Sequence, residues 1–348
     1  MLQQIIAKIK EPNQDASAAA RARQNTLTKP PGSLGRLEAI SVQIAGITGE
    51  TIPTIKDKVI ITMAGDHGVA KAGVSAFPQE VTPQMVLNFL HGGAAINVLA
   101  KHVGARIVVV DMGVASDLPE HPQLVNKKIA YGTQNFIEGP AMTREQAEKA
   151  ILAGVEVVEA EIAKGLDIVG TGDMGIGNTT PSAAIAAVLT GEEPAKIAGR
   201  GTGVDDEGLK RKIEAIEKAI AKNTPNPEDG LDVLAKVGGF EIAGLAGVIL
   251  GAAANGKPVM VDGFISTAAA MIAAAIAPAV RPYLISAHHS QEYGHNVMLE
   301  WLELKPLVDL DFRLGEGTGA ALGISLAEAA CKILAEMATF AEAGVSEG

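Results

Sequence analysis

Residues 167–189 read Asp167-Ile-Val-Gly-Thr-Gly-Asp-Met-Gly-Ile-Gly-Asn-Thr-Thr-Pro-Ser-Ala-Ala-Ile-Ala-Ala-Val-Leu189, and this stretch decides the fold class. A short run rich in β-branched residues, Asp167–Val169, passes into a glycine-rich segment and then into a helix expected over Ala183–Leu189. Asn178, Thr179 and Thr180 are good N-cap residues, and Pro181 suits a first helical turn. The same rhythm recurs outward along the chain. Runs at Val59–Thr62, Arg106–Val110, Pro258–Val261 and Tyr283–Ser286 each give way to helical sequence, and a more polar sixth run follows at Leu307–Phe312. Strands alternating with helices predict βαβ units, hence an α/β fold with a mostly parallel sheet flanked by helices.

Composition narrows what such a fold would do. Of 348 residues 47% are hydrophobic but only 3% aromatic, so the core must be built from Ala, Val, Ile and Leu. The formal net charge is −11 with no Lys/Arg cluster, which excludes duplex nucleic acid as a partner. A local anion site stays open, because backbone N–H groups hold phosphate without net positive charge. The lone Cys331 rules out an internal disulfide and a cysteine-rich metal site, and a core position is expected for it. The opening Met1-Leu-Gln-Gln-Ile-Ile-Ala-Lys8 is too short and polar for a signal peptide. Gly263–Val280, the most membrane-like stretch, contains Pro278 and reads as a buried helix, so no membrane is expected and the location is the cytoplasm. Residues 1–49 read as helices interrupted by the turn Lys29-Pro-Pro-Gly-Ser-Leu-Gly35, and Ala320–Glu342 as one long helix. The expected division is a large α/β domain over 50–320 and a small helical domain from 1–49 plus 321–348.

Chemistry-bearing residues follow the expected strands: Asp66-His67, Asp111, Asp173, Asp262, His288-His289 and Glu316. In an open α/β sheet ligands bind outside the carboxyl ends of the strands, so these segments would meet in one crevice. The competing reading is that the acids cap the helices that follow. Three glycine loops lie at expected strand-to-helix junctions: Gly170–Ser182, Gly199-Arg-Gly-Thr-Gly-Val-Asp-Asp-Glu-Gly208 and Arg313-Leu-Gly-Glu-Gly-Thr-Gly-Ala320. Together they predict backbone approaching a ligand closely. Gly170-Thr-Gly-Asp-Met-Gly175 matches the dinucleotide fingerprint of an oxidoreductase, but its helix starts too late, and Glu192 and Glu193 follow a helix end instead of a second strand. The Walker pattern is absent, and Ile107-Val-Val-Val-Asp-Met-Gly113 lacks the second acid of an activated-ribose loop, which favours a nucleotide monophosphate. His288-His-Ser-Gln-Glu-Tyr-Gly-His295 invites a zinc reading, yet its spacing matches neither HExxH nor HxxEH. Groups that shape a pocket are expected there, and no metal.

Six blocks in order resemble one family. They are Leu27–Glu38, Ala64–Ala70 with Gly73–Thr82, Gly172–Pro181, Gly199–Gly208, His288–His295 and Arg313–Ala321, and they span nearly the whole chain. The family is the nicotinate-nucleotide:dimethylbenzimidazole phosphoribosyltransferases. The resemblance implies transfer of the phosphoribosyl group of nicotinate mononucleotide to 5,6-dimethylbenzimidazole or a related azole. The products would be α-ribazole 5′-phosphate and nicotinate, in assembly of the cobalamin nucleotide loop. It implies a homodimer, a Rossmann-like large domain with a small domain from both termini, and neither redox cofactor nor metal. It puts the catalytic base at Glu316 and the base pocket at Ser75, Phe77, Gln84 and Leu314. The nucleotide side would be Gly175, Asn178, Gly201, Lys212, Asp262 and Ser290.

The chemistry agrees independently with Glu316. Nicotinate leaves a pyridinium as a neutral ring nitrogen and needs no general acid. The attacking benzimidazole must lose the proton of its second nitrogen, and one carboxylate serving as general base is worth about 10²–10⁴-fold. A β-nucleotide becoming an α-riboside implies inversion through an oxocarbenium-like transition state, which a nearby carboxylate stabilises. Asp173 is the candidate, although the family often has the longer Glu there. Competing readings make Phe77 core and Lys212 a solvated helix residue. The rivals to transfer are a chain that kept the fold but only binds, and a metal hydrolase using the three histidines.

Overall fold

Five of the six expected runs build one parallel sheet. In the computed structural model, which describes residues 1–201 and 203–346, its strands are β1 (Lys58–Gly65), β2 (Ala105–Gly113), β3 (Leu124–Asn126), β4 (Ile168–Met174), β5 (Val259–Val261) and β6 (Leu284–Ser286). Their order among the described residues is β3-β2-β1-β4-β5-β6, with every neighbouring pair parallel. This is the doubly wound Rossmann order, whose winding reverses between β1 and β4. Leu307–Phe312 is not part of this sheet. Only β8 (Val308–Asp309) forms there, and it pairs with β7 (His288–His289) in a separate two-stranded sheet. Asp309 and Asp311 deny that run the apolar faces a central parallel strand needs.

The helices are α1 (Leu2–Ile6), α2 (Gln14–Thr26), α3 (Arg36–Thr48), α4 (Val81–Leu90), α5 (Ala95–Val103), α6 (Arg144–Ala163), α7 (Thr179–Thr190), α8 (Asp206–Asn223), α9 (Gly230–Val237), α10 (Phe240–Ala254), α11 (Phe264–Ile276), α12 (His295–Leu302), α13 (Thr318–Glu336) and α14 (Phe340–Ala343). Side chains alternate across a strand, and the central strands bury both faces. Val59, Ile61 and Met63 point into one layer with α6, α7, α9, α10 and α11. Ile60 and Ala64 point into the other, with α3, α4, α5 and α13. The membrane-like run forms α11, buried from Phe264 to Ala274. By length and composition α13 could also cross a bilayer, but its inner face, Cys331 included, packs into the second layer.

Helices from both ends of the chain meet. Ala20, Val42 and Ala45 of α2 and α3 pack on Leu334 of α13. Arg23 donates to the carbonyls of Leu334 at 2.6 Å and Ala335 at 3.2 Å. The helix expected over Ala320–Glu342 therefore stops at Glu336: Met337 is extended, and Thr339 caps the separate α14. Glu38 fixes the turn after Lys29, accepting from Lys29 Nζ at 2.7 Å and from the Gly32 and Leu34 amides.

Candidate active site

The loop before α13 lies over the ends of β1 and β4, where the winding reverses. Gly172 of β4 permits this approach, since a Cβ there would sit 2.3 Å from Glu316 O. Two bonds fasten the loop. Thr62 Oγ1 of β1 donates to Glu316 O at 2.9 Å, and Glu316 N donates to Asp173 O at 3.1 Å. Gly315, Glu316 and Gly317 have φ of 85°, 66° and 96°. Two of the three positions suit glycine, but the left-handed conformation costs Glu316 about 1–2 kcal/mol. Strain of that kind is held by its surroundings and concentrates at functional sites.

Glu316 is 5% exposed, and its Oε2 accepts the Ile96 N–H, in the first turn of α5, at 3.1 Å. Burial pushes its carboxyl above the ordinary carboxylate range, with the Ile96 amide opposing and nearby Asp262 adding to the rise. Asp262 itself is fully buried. Its oxygens accept from Gly317 N at 3.2 Å and Ala320 N at 2.9 Å, so it holds the Glu316 loop onto the start of α13. Asp66 and Asp111 cap no helix; they accept from Ala115 N at 2.8 Å and Val114 N at 2.9 Å and so fasten the loop that follows β2.

Asp173 Oδ2 accepts from Asn178 Nδ2 at 3.0 Å, so the Asn178 side chain serves a carboxylate instead of capping α7. That helix begins at Thr179 and not at Ala183. Burial raises the Asp173 carboxyl far above its usual value, Asp262, Glu241 and Glu316 adding to the rise and Asn178 opposing it. Below lies a fully buried pair, His67 Nε2 and Glu241 Oε1, 2.8 Å apart. Burial disfavours the imidazolium, but Glu241 and then Asp66 hold its pKa above the usual value. Glu241 carries no sequence signal, because its partner is 174 residues away.

An apolar cleft of about 520 Å³ is lined by Phe77, Ala95, Leu99, Phe312, Arg313, Leu314 and Thr318. Phe77 is 52% exposed and Leu314 59%, so Phe77 is not core, and the two offer apolar walls to a flat ring. Ser75 and Gln84 stand outside this wall: Ser75 Oγ accepts the Phe77 N–H at 3.3 Å, and Gln84 is exposed on α4. Arg313 and Leu314 also border a polar cavity of about 80 Å³, whose lining includes Asp173, Asn178, Thr179, Gly201, Ser290 and Glu292.

Lys212 is 1% exposed, which rules out the solvated reading. Its Nζ donates to Thr179 Oγ1 at 3.0 Å and Gly199 O at 2.9 Å. Burial lowers its pKa to about 8, with Glu292 opposing. Gly201 O accepts from Arg313 Nη1 at 3.1 Å. The Gly199 loop follows a 3₁₀ turn, Pro194–Lys196, and not a strand. Gly175 answers to packing, since a Cβ would lie 2.3 Å from Gly65 O.

His295 Nδ1 accepts the Ser290 N–H at 2.8 Å, which puts the ring proton on Nε2, 2.9 Å from Thr267 Oγ1. Burial, with His288 and His289 adding, lowers its pKa to about 3, so the ring is neutral and holds the Ser290 loop. His288 stands 3.8 Å from Asp262, and His289 3.3 Å from Asp309. Among the described residues no group of side chains converges as a metal site.

A family model described as phosphoribosyltransferase matches residues 9–345. The nicotinate-nucleotide–dimethylbenzimidazole phosphoribosyltransferase of Roseiflexus sp. (strain RS-1) is 63% identical over 346 residues, 99% of this chain and 98% of the relative. The enzyme of that name from Chloroflexus aggregans is 60% identical over 347 residues, 100% of this chain and 98% of the relative. A crystal structure of that enzyme from Thermus thermophilus superposes with a TM-score of 0.92 at 47% identity, covering 97% of this chain and all of that one. With its sheet order, its strained glutamate and these likenesses over nearly its full length, the chain belongs to the nicotinate-nucleotide–dimethylbenzimidazole phosphoribosyltransferase family.

Proposed function

We propose that the protein transfers the 5-phosphoribosyl group of nicotinate mononucleotide to 5,6-dimethylbenzimidazole, with inversion at C1′, giving α-ribazole 5′-phosphate and nicotinate. The observation that carries this reading is the Glu316 carboxylate, anchored through one oxygen to Ile96 N beside the apolar cleft that Ala95, Leu314 and Thr318 help to line. The flat bicyclic base enters that cleft between Phe77 and Leu314. Glu316 takes the proton of its distal nitrogen while the other nitrogen attacks C1′. The raised pKa brings the carboxylate closer in basicity to the proton it accepts, which is where a general base works best.

The nucleotide lies on the polar side. Thr179, Gly201, Ser290 and Arg313 face the 5′-phosphate, and Lys212 fixes the Thr179 and Gly199 segments that form its seat. Asp173, crowded by other carboxylates, gains most from a positive charge. The pyridinium of the bound nucleotide, and then the oxocarbenium-like ribose, supplies one. The C1′–N bond breaks with its electron pair passing to the pyridinium nitrogen, which leaves neutral in nicotinate, so the chemistry calls for neither Lewis acid nor redox group. The chain works as a cytoplasmic homodimer, with residues 50–320 as the catalytic domain and 1–49 plus 321–348 as the small one.

The test is chromatography of a mixture of purified protein and both substrates. Equal amounts of nicotinate and α-ribazole phosphate are expected, the α configuration being read from the anomeric proton by NMR. Absence of both products, also with adenine or a phenol as acceptor, refutes the reading and favours a protein that only binds.

A further inference from the structure

The polar cavity, at about 80 Å³, is too small for a phosphoribosyl group, since ligand sites are roughly 300–1,000 Å³. Beyond it lies an outer cleft of about 680 Å³, and Gly201, Glu292 and Arg313 border both spaces. Glu292 is therefore part of the partition. It is 7% exposed, and its Oε2 has no hydrogen-bond partner among the described residues. A Cβ at Gly199 would lie 2.2 Å from that oxygen, so the glycine makes room for the carboxylate. The groups that favour its charge are the Gly201 amide, which bonds to it, and the Lys212 and Arg313 cations. Asp173 and His288 face the same cavity from the sheet side. Gly201, Lys212 and Arg313 are donors and cations assigned above to the phosphate seat.

We infer that the Glu292 carboxylate fills the phosphate seat of the empty protein and takes up a proton when the 5′-phosphate arrives. The inference rests on the phosphoribosyl reading of this site. A carboxylate and a phosphate dianion disfavour each other's charge at close range, and burial disfavours the carboxylate further, so Glu292 is the group that neutralises. Protonated, it donates a hydrogen bond to a phosphate oxygen. On product departure it ionises and refills the seat, which favours release of the phosphorylated product and opposes its rebinding.

Calorimetric titration near neutral pH, in buffers of different ionisation enthalpy, counts the protons exchanged on binding. The probes are nicotinate mononucleotide and sulfate, a dianion with no proton of its own to exchange. Lys212 also gains protons beside a bound anion, so the comparison of wild type with Glu292→Gln isolates Glu292. The variant should take up measurably fewer protons than wild type and bind both probes about tenfold more tightly, like-charge juxtaposition costing at least that much. Glu292→Asp, still titratable, should retain the uptake. Equal proton uptake by wild type and Glu292→Gln, or weaker sulfate binding by that variant, overturns the inference. Sulfate keeps the two claims apart: a protein that binds it with Glu292-dependent uptake but never turns the nucleotide over loses the transferase reading and keeps the seat.

Discussion

Replacing Gly172 by alanine tests how Glu316 is placed without touching any group that reacts. The new Cβ would lie 2.3 Å from Glu316 O, 2.7 Å from Glu316 C and 2.9 Å from Gly317 N. All three are backbone atoms, so no side chain can swing away. Restoring ordinary contact requires the loop to retreat by on the order of 1 Å, through the 2.9 Å bond from Thr62 and the 3.1 Å bond to Asp173 O. Overpacking of this kind costs about 1–3 kcal/mol of stability, a melting shift of a few degrees. Misplacing a catalytic group by 1 Å costs roughly 10²-fold in rate. The expected result is a folded variant with kcat down by about two orders of magnitude and KM for nicotinate mononucleotide nearly unchanged. Initial rates by chromatography and thermal unfolding by circular dichroism measure both. A variant that melts within a few degrees of wild type and keeps wild-type kcat refutes the claim that this contact sets the position of the base.

Glu316 must be ionised to accept a proton and its carboxyl is raised, so kcat should fall as pH drops through a value above the ordinary carboxylate range; an acid limb at or below that range contradicts the assignment. Asp173 is raised further, so the folded chain keeps a proton that the unfolded chain, with a carboxyl near 3.9, gives up. Its contribution to stability is complete below that unfolded value and is lost as pH rises through the folded value. Asp173→Asn should therefore melt higher than wild type near neutral pH, and an equal or lower melting temperature there argues against a buried, protonated Asp173. Phe77→Ala should raise KM for dimethylbenzimidazole by about tenfold while leaving KM for the nucleotide within about twofold, a split that initial-rate measurements would reveal.

The fold was legible where strands carried runs rich in β-branched residues, as β1, β2, β4, β5 and β6 did. It was hidden at β3, three residues long and preceded by Leu118-Pro-Glu-His-Pro-Gln123. The glycines of 170–175 read as a nucleotide loop, yet most of them lie within β4, where Gly172 makes room for a second chain segment. Glu316 was legible through the resemblance of its block to the family and the need for one carboxylate as proton acceptor; the left-handed run it shares with Gly315 and Gly317 emerged only in the structure. Lys212 was ambiguous, since a lysine on a helix as polar as α8 is ordinarily solvated and only the fold closes over it. Among the strand-end acids, the sequence reading singled out Asp173, which faces the polar cavity, but could not foresee that Asp262, placed on the nucleotide side, holds backbone amides as Asp66 and Asp111 do. Those amides lie three to 58 residues away along the chain.

The central claim is that Glu316 is the proton acceptor in phosphoribosyl transfer to the azole. Glu316→Gln keeps the shape of the side chain and an oxygen to accept the Ile96 amide, and removes only the basicity. The decisive measurement is its rate of α-ribazole phosphate formation at saturating substrates, compared with wild type. A loss of about 10²–10⁴-fold, with nucleotide binding intact by calorimetry, is the predicted result. A rate within a few fold of wild type would contradict it and move the base to another group of the cleft.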